Sequence, residues 1–150
     1  MPTYAQNTTV PIDRSKAEIE RTLQRYGAST FMYGWSGDRA VIGFDINGRR
    51  YKIELPLPAQ GDFAVTEARR VRRSRDAQMS AWEQACRQRW RALALWVKAV
   101  LEASEAGIIT IESALLSFTL LPNGQTVGEW SAPQLLEIYE TGHMPPLLPG

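Results

Sequence analysis

TEARRVRRSRDAQMSAWEQACRQRWRALALWVKAVLEASEAG, running from Thr66 to Gly107, sets the plan of the chain. Within it Trp82, Cys86, Trp90, Leu93, Val97 and Val100 recur at intervals of three and four, the repeat that gathers side chains on one helical face. Ala, Gln, Glu, Arg, Leu and Met fill the segment, and neither Pro nor Gly interrupts it before Gly107. Gly107 suits the left-handed conformation that closes a helix. The stretch predicts one long amphipathic helix behind a basic lead-in.

Upstream, the pattern changes period. Ser15-Lys16-Ala17-Glu18 reads as a capping box, opening a short helix that carries Ile19, Leu23 and Tyr26 and stops at Gly27. Three strands follow. Thr30 to Trp35 alternates Phe31, Tyr33 and Trp35, and Ser36-Gly37-Asp38 turns the chain. Arg39 to Ile46 places Ala40, Ile42, Phe44 and Ile46 on one face. Asn47-Gly48 is a strong hairpin signal, because both residues tolerate the positive φ of a type I′ turn. Arg49 to Leu55 returns with Tyr51, Ile53 and Leu55 inward, and Pro56-Leu57-Pro58 ends the sheet. Such alternation gives one buried and one wet face, as in an antiparallel meander.

Beyond Gly107, Thr110-Ile111-Glu112-Ser113 caps a short helix through Phe118, or else residues 108–111 form a strand. Pro122-Asn123-Gly124 makes a tight turn with a hairpin arm from Val127 to Trp130, and Ser131-Ala132-Pro133-Gln134 opens a last helix that Gly142 closes. The fold class expected is α+β: an N-terminal helix, a three-stranded meander, a long basic helix and a small helical and hairpin C-terminal region. At 150 residues this is one domain, with a loose arm at 1–13, a core at 14–107 and an extension at 108–150.

Formal charge is only +1, but its distribution is uneven. From Thr66 to Lys98, nine cations face three acids, a local +6 that leaves −5 elsewhere. Arg69, Arg70, Arg72, Arg73 and Arg75 present planar forks suited to phosphate oxygens. Arg87, Arg91 and Lys98 share a helix face by their spacing. Solvated, acid-paired arginines are the competing interpretation. Trp96, off the main stripe, and Phe31, Tyr33 and Trp35 are aromatics able to stack on unpaired bases. Trp82 and Trp90 read as core. Trp35 and Trp130 adjoin turns and are candidates for an interface.

Catalytic constellations are missing from the sequence. Cys86 is the one cysteine and His143 the one histidine, and no zinc-ligand spacing, GxSxG, Walker or GxGxxG motif occurs. The reading is a non-enzymatic protein without cofactor or metal. Met1 to Asn7 has neither a basic nor an apolar leader pattern, so a cytoplasmic location is expected, without a membrane. Nucleic acid, single-stranded DNA first, is the expected partner, with a host protein as the alternative. The arm and the tail at Met144 to Gly150 could each reach a second copy, making a homo-oligomer.

Gly27-Ala28-Ser29-Thr30-Phe31-Met32-Tyr33-Gly34, Arg89-Trp90-Arg91-Ala92-Leu93-Ala94-Leu95 and the tail segments Pro122 to Trp130 and Met144 to Pro149 resemble a family of small uncharacterised proteins encoded by bacteriophages and prophages. That resemblance covers most of the chain and implies no activity. The order of elements also resembles the core of phage single-strand-annealing proteins, which implies a strand held in a basic groove. It is similar as well to the double-stranded-RNA-binding domain, though the lysine–alanine pattern of that family is missing.

Overall fold

Turn chemistry sets the sheet. The structure is a computed structural model that describes residues 8–68 and 70–144. Strands β1 (Thr30–Ser36), β2 (Arg39–Ile46) and β3 (Arg49–Pro56) pair antiparallel in the order β1-β2-β3. Asn47 and Gly48, at φ 52° and 78°, make the predicted type I′ turn, and Gly37 at 64° serves the first hairpin. Tight turns fix the register, so Phe31, Phe44 and Tyr51 form one inward row and Tyr33, Ile42 and Ile53 the next. Ala40, Ile42, Phe44, Ile46, Tyr51 and Ile53 are buried, whereas β1 stays largely open as the edge. The outer face carries ion pairs, Arg50 bridging Asp45 and Arg39 bridging Glu54, both at 2.9 Å, beside an apolar hollow lined by Met32 and Val41.

Two helices cover the inner face. Helix α1 (Ile12–Arg25) supplies Ile19 and Leu23, and α2 (Arg75–Glu105) supplies Trp90, Leu93, Ala94, Val97 and Leu101. They run in the same direction, because Thr8 meets Gln84, Glu18 meets Arg91 and Tyr26 meets Glu105. Thirty-one residues make α2 about 46 Å long, so its N-terminal end stands beyond the sheet. The helix ends in a Schellman motif around Gly107 at φ 80°, with Ile108 N–H on Ala103 O and Gly107 N–H on Ser104 O. No helix among the described residues is long and apolar enough to cross a membrane.

The N-terminus departs from the sequence expectation. Helix α1 starts three residues before Ser15, at Ile12 after Pro11, and Ile12 packs on the core, so the arm is docked from Thr8 onward. Met1 to Asn7 lie outside the described residues. Ser15 is fully buried inside the helix, and its hydroxyl has no hydrogen-bond partner among the described residues. Glu18 pairs with Arg91 instead of reaching back to a cap. Ser15→Ala is therefore expected to raise stability by about 1 kcal/mol, through a better helix former and the loss of an unpaired hydroxyl. A capping serine would give the opposite sign, and urea unfolding of the two proteins decides.

The C-terminal region wraps the β3 edge. Thr110 caps α3 (Ile111–Ala114), a 3₁₀ turn follows at Leu116–Phe118, and Leu120 N–H bonds Arg50 O at 2.8 Å. Residues 108–111 do not form a strand. The last helix, α4 (Val127–Thr141), begins four residues before Ser131, so residues 127–130 are its first turn rather than a hairpin arm. Thr126 and Glu129 form a reciprocal capping box that starts the helix, leaving Pro133 in its second turn. Gly128 lets α4 approach closely, since a Cβ there would sit 3.1 Å from Ser117 O. Gly142, at φ 71°, ends the helix as expected. Residues Pro145 to Gly150 lie outside the described residues.

Burial also sets the alkaline limit. Desolvation pushes the Cys86 thiol above its ordinary 9.0 and the Tyr51 phenol above 10.0. Groups raised in the folded state contribute stability that is fully present below the ordinary values and is lost as pH rises through the folded ones. Thermal melts are expected to be level from neutral pH to about 9 and to fall above it, less steeply in Cys86→Ala/Tyr51→Phe. A fall beginning at pH 7 would rule out these groups as the cause.

Candidate nucleic-acid interface

The basic lead-in is a small hairpin. Before α2 begins, residues 64–66 pair with residues 71–73: Thr66 N–H bonds Val71 O and Arg73 N–H bonds Ala64 O, both at 2.8 Å. Thr66 Oγ1 accepts the Val71 N–H at 3.1 Å. Arg70 sits at φ 50°, one of two non-glycine residues in the left-handed region among those described. Ser74 then caps α2 by accepting the Ala77 N–H at 3.2 Å, which makes Arg75 its first residue.

The five arginines of this segment do not share one role. Arg69 lies outside the described residues. Arg70, Arg72 and Arg75 are exposed and make no ion pair or hydrogen bond through their side chains among the described residues. Arg73 turns inward, and its guanidinium donates to Phe63 O and Val65 O, both at 3.0 Å, tying the hairpin to the preceding 3₁₀ turn at Gln60–Phe63. Arg73 thus holds the loop that displays its neighbours.

The residues grouped on the long helix are separated by α1. Arg91 forms an ion pair with Glu18, and Arg87 closes on Gln84 Oε1 at 2.6 and 3.1 Å. Arg89 donates to Pro56 O at 3.0 Å. Lys98 is exposed in a hollow with Arg21 and Arg25 of α1. It lies about 35 Å along the helix from Arg75. Sequence reasoning missed Arg21 and Arg25, whose four-residue spacing follows the helix face of Glu18 and was the available signal.

Aromatic positions divide in the same way. Trp35 is 79% exposed and Trp130 half exposed, while Trp96 packs edge-on to Phe118 at 5.5 Å. Phe31 is partly buried against the core. Trp82 donates its indole N–H to Pro58 O at 2.7 Å, and Trp90 packs on Tyr33 at 5.6 Å between ring centres. Trp82, Trp90, Tyr33 and Trp35 all line one cavity of about 430 Å³ below the β1–β2 hairpin. Two tryptophans read from the sequence as core are thus also cavity walls.

Other chemistry is sparse. Cys86 is buried with a raised thiol pKa, which disfavours the nucleophilic thiolate. Glu112 is held below the usual carboxylate range by a backbone N–H and by Asn47, and Glu129 serves the Thr126 cap, so the two do not form an acid–base pair. His143 is exposed. No group of three His, Cys, Asp or Glu among the described residues could hold a metal ion. No protein family, characterised protein or solved structure matches this chain.

Proposed function

We propose that this chain is a non-enzymatic nucleic-acid-binding protein of phage type, acting in DNA recombination, replication or repair. The observation that carries the reading is that the hairpin and the start of α2 present Arg70, Arg72 and Arg75 to solvent, unneutralised among the described residues, while Arg39, Arg50 and Arg91 are each held by a carboxylate. Guanidinium forks left open on a shaped loop suit phosphate oxygens, and they predict salt-sensitive binding with little sequence preference. Lys98, Arg21 and Arg25 form a second cationic surface for a longer strand.

Fluorescence anisotropy with a labelled single strand and a labelled duplex, across a salt series, tests the proposal. Affinity that falls steeply with salt is the expected result; no binding of either at low salt sinks it. A second reading, a protein-binding module such as a phage inhibitor of a host defence or regulatory protein, has its own support in α4. Trp130, Leu135, Leu136 and Tyr139 are exposed there, and α4 has no buried residue. It predicts a complex recovered from host lysate that survives nuclease and high salt.

A further inference from the structure

The cavity under the first hairpin has an unusual wall for its position. Tyr33, Trp35, Trp82 and Trp90 surround it, with Leu57 and Pro58 behind. Its volume of about 430 Å³ falls in the range of small-molecule sites, roughly 300–1,000 Å³. Trp82 is pinned by its bond to Pro58 O and Trp90 by the core, so two walls are rigid before any ligand arrives. The side chain of Trp35, open to solvent at the sheet edge, is the exposed wall.

The charges select among aromatic-seeking ligands. Lys16 places its ammonium 3.9 Å from the centre of the Tyr33 ring and 5.1 Å from that of Trp90, so the place a cationic ligand would take is filled from within. Lys16 makes no ion pair among the described residues, whereas Arg39 on the same rim is paired with Glu54. A second cation would meet the Lys16 ammonium. An aromatic ring carrying an anion would find aromatic walls and that one unpaired ammonium. Asp38 and Glu83, also on the rim, could accept from an exocyclic amine.

The cavity and the arginine hairpin share the 3₁₀ turn at Gln60–Phe63. Gln60 lines the cavity, Gln78 donates to Gln60 O at 2.9 Å, and Arg73 anchors to the same turn. On α2, Arg75 and Trp82 are seven residues apart, on one face and about 10 Å along the axis. We infer that this cavity receives an unpaired nucleobase, stacked against Trp35 and Trp82, while the backbone phosphates run to Arg70, Arg72 and Arg75. This rests on the phosphate-binding reading and adds to it a preference for single strands, since a paired base must first be unpaired and unstacked to enter, which costs free energy.

Two measurements test the inference apart from that reading. In the first, adenosine 5′-monophosphate and ribose 5-phosphate are titrated into the full chain and the five tryptophan indole N–H resonances are followed. The nucleotide is expected to move Trp35, Trp82 and Trp90 and to leave Trp96 and Trp130 in place, with no such movement by the sugar phosphate. Equal shifts from both ligands, or none at the cavity tryptophans, overturn the base site. In the second, Trp35→Ala should weaken single-strand binding about tenfold, the loss of one stacked base, and leave duplex binding unchanged. Equal weakening of both overturns the preference. If neither polymer binds, the phosphate reading fails and the nucleotide titration still decides the cavity.

Discussion

Trp90→Ala is expected to cost about 3–5 kcal/mol, among the largest single-residue losses in the molecule. Trp90 is 2% exposed and packs against both the sheet side chain Tyr33 and the Lys16 ammonium of α1, so it joins all three core elements. Its removal opens a void beside a cavity that already exists, and neighbouring side chains anchored in regular structure cannot collapse into it. Domains of this size are stable by roughly 5–15 kcal/mol, so the variant would sit near the edge of folding. Urea unfolding gives the value, with Trp90→Phe as the milder comparison. A loss below about 1 kcal/mol would mean that Trp90 is not a core residue.

Charge reversal on the hairpin has the largest expected effect on binding. Arg70→Glu/Arg72→Glu/Arg75→Glu removes three phosphate contacts at about 0.7 counterions each, so the logarithmic salt slope for a single strand should flatten by about 2. At about 50 mM salt the same term corresponds to a loss of about 100-fold or more in affinity. All three residues are exposed, so the melting temperature should hardly change. The companion variant Arg73→Ala acts differently. It frees the two carbonyls that anchor the loop, and it should weaken binding while lowering the hairpin's protection from hydrogen exchange. Unchanged binding in the triple variant would move the weight to α4 and a protein partner.

Much of this architecture was legible because turn residues and period speak locally. Asn47-Gly48 and the alternation around it place two strands to within a residue, and Gly107 marks the end of α2 for the conformational reason a glycine is needed there. The misreadings come from groups whose partners are distant in sequence. Ser15 has the spacing of a cap, but burial against the core carries the helix back to Ile12. Pro133 looks like a first-turn residue, but Thr126 and Glu129 form the stronger start. Arg91 has the spacing of a phosphate contact, yet Glu18 meets it across 73 residues. No local pattern distinguishes an arginine turned to a carbonyl, such as Arg73, from its exposed neighbour Arg72.

The parallel seam between α1 and α2 has a consequence for synthesis. Helix α1 leaves the ribosome first, but the helix packed along it arrives only with Arg91 and its neighbours, 73 residues after Glu18. At about 5–20 residues per second that interval lasts roughly 4–15 s. The meander can close meanwhile, because its hairpins need only adjacent strands. Ile19 and Leu23 wait without α2, so in a nascent chain stalled before residue 90 a cysteine placed by Ile19→Cys or Leu23→Cys should be open to a thiol-reactive probe, and the released protein should shield it.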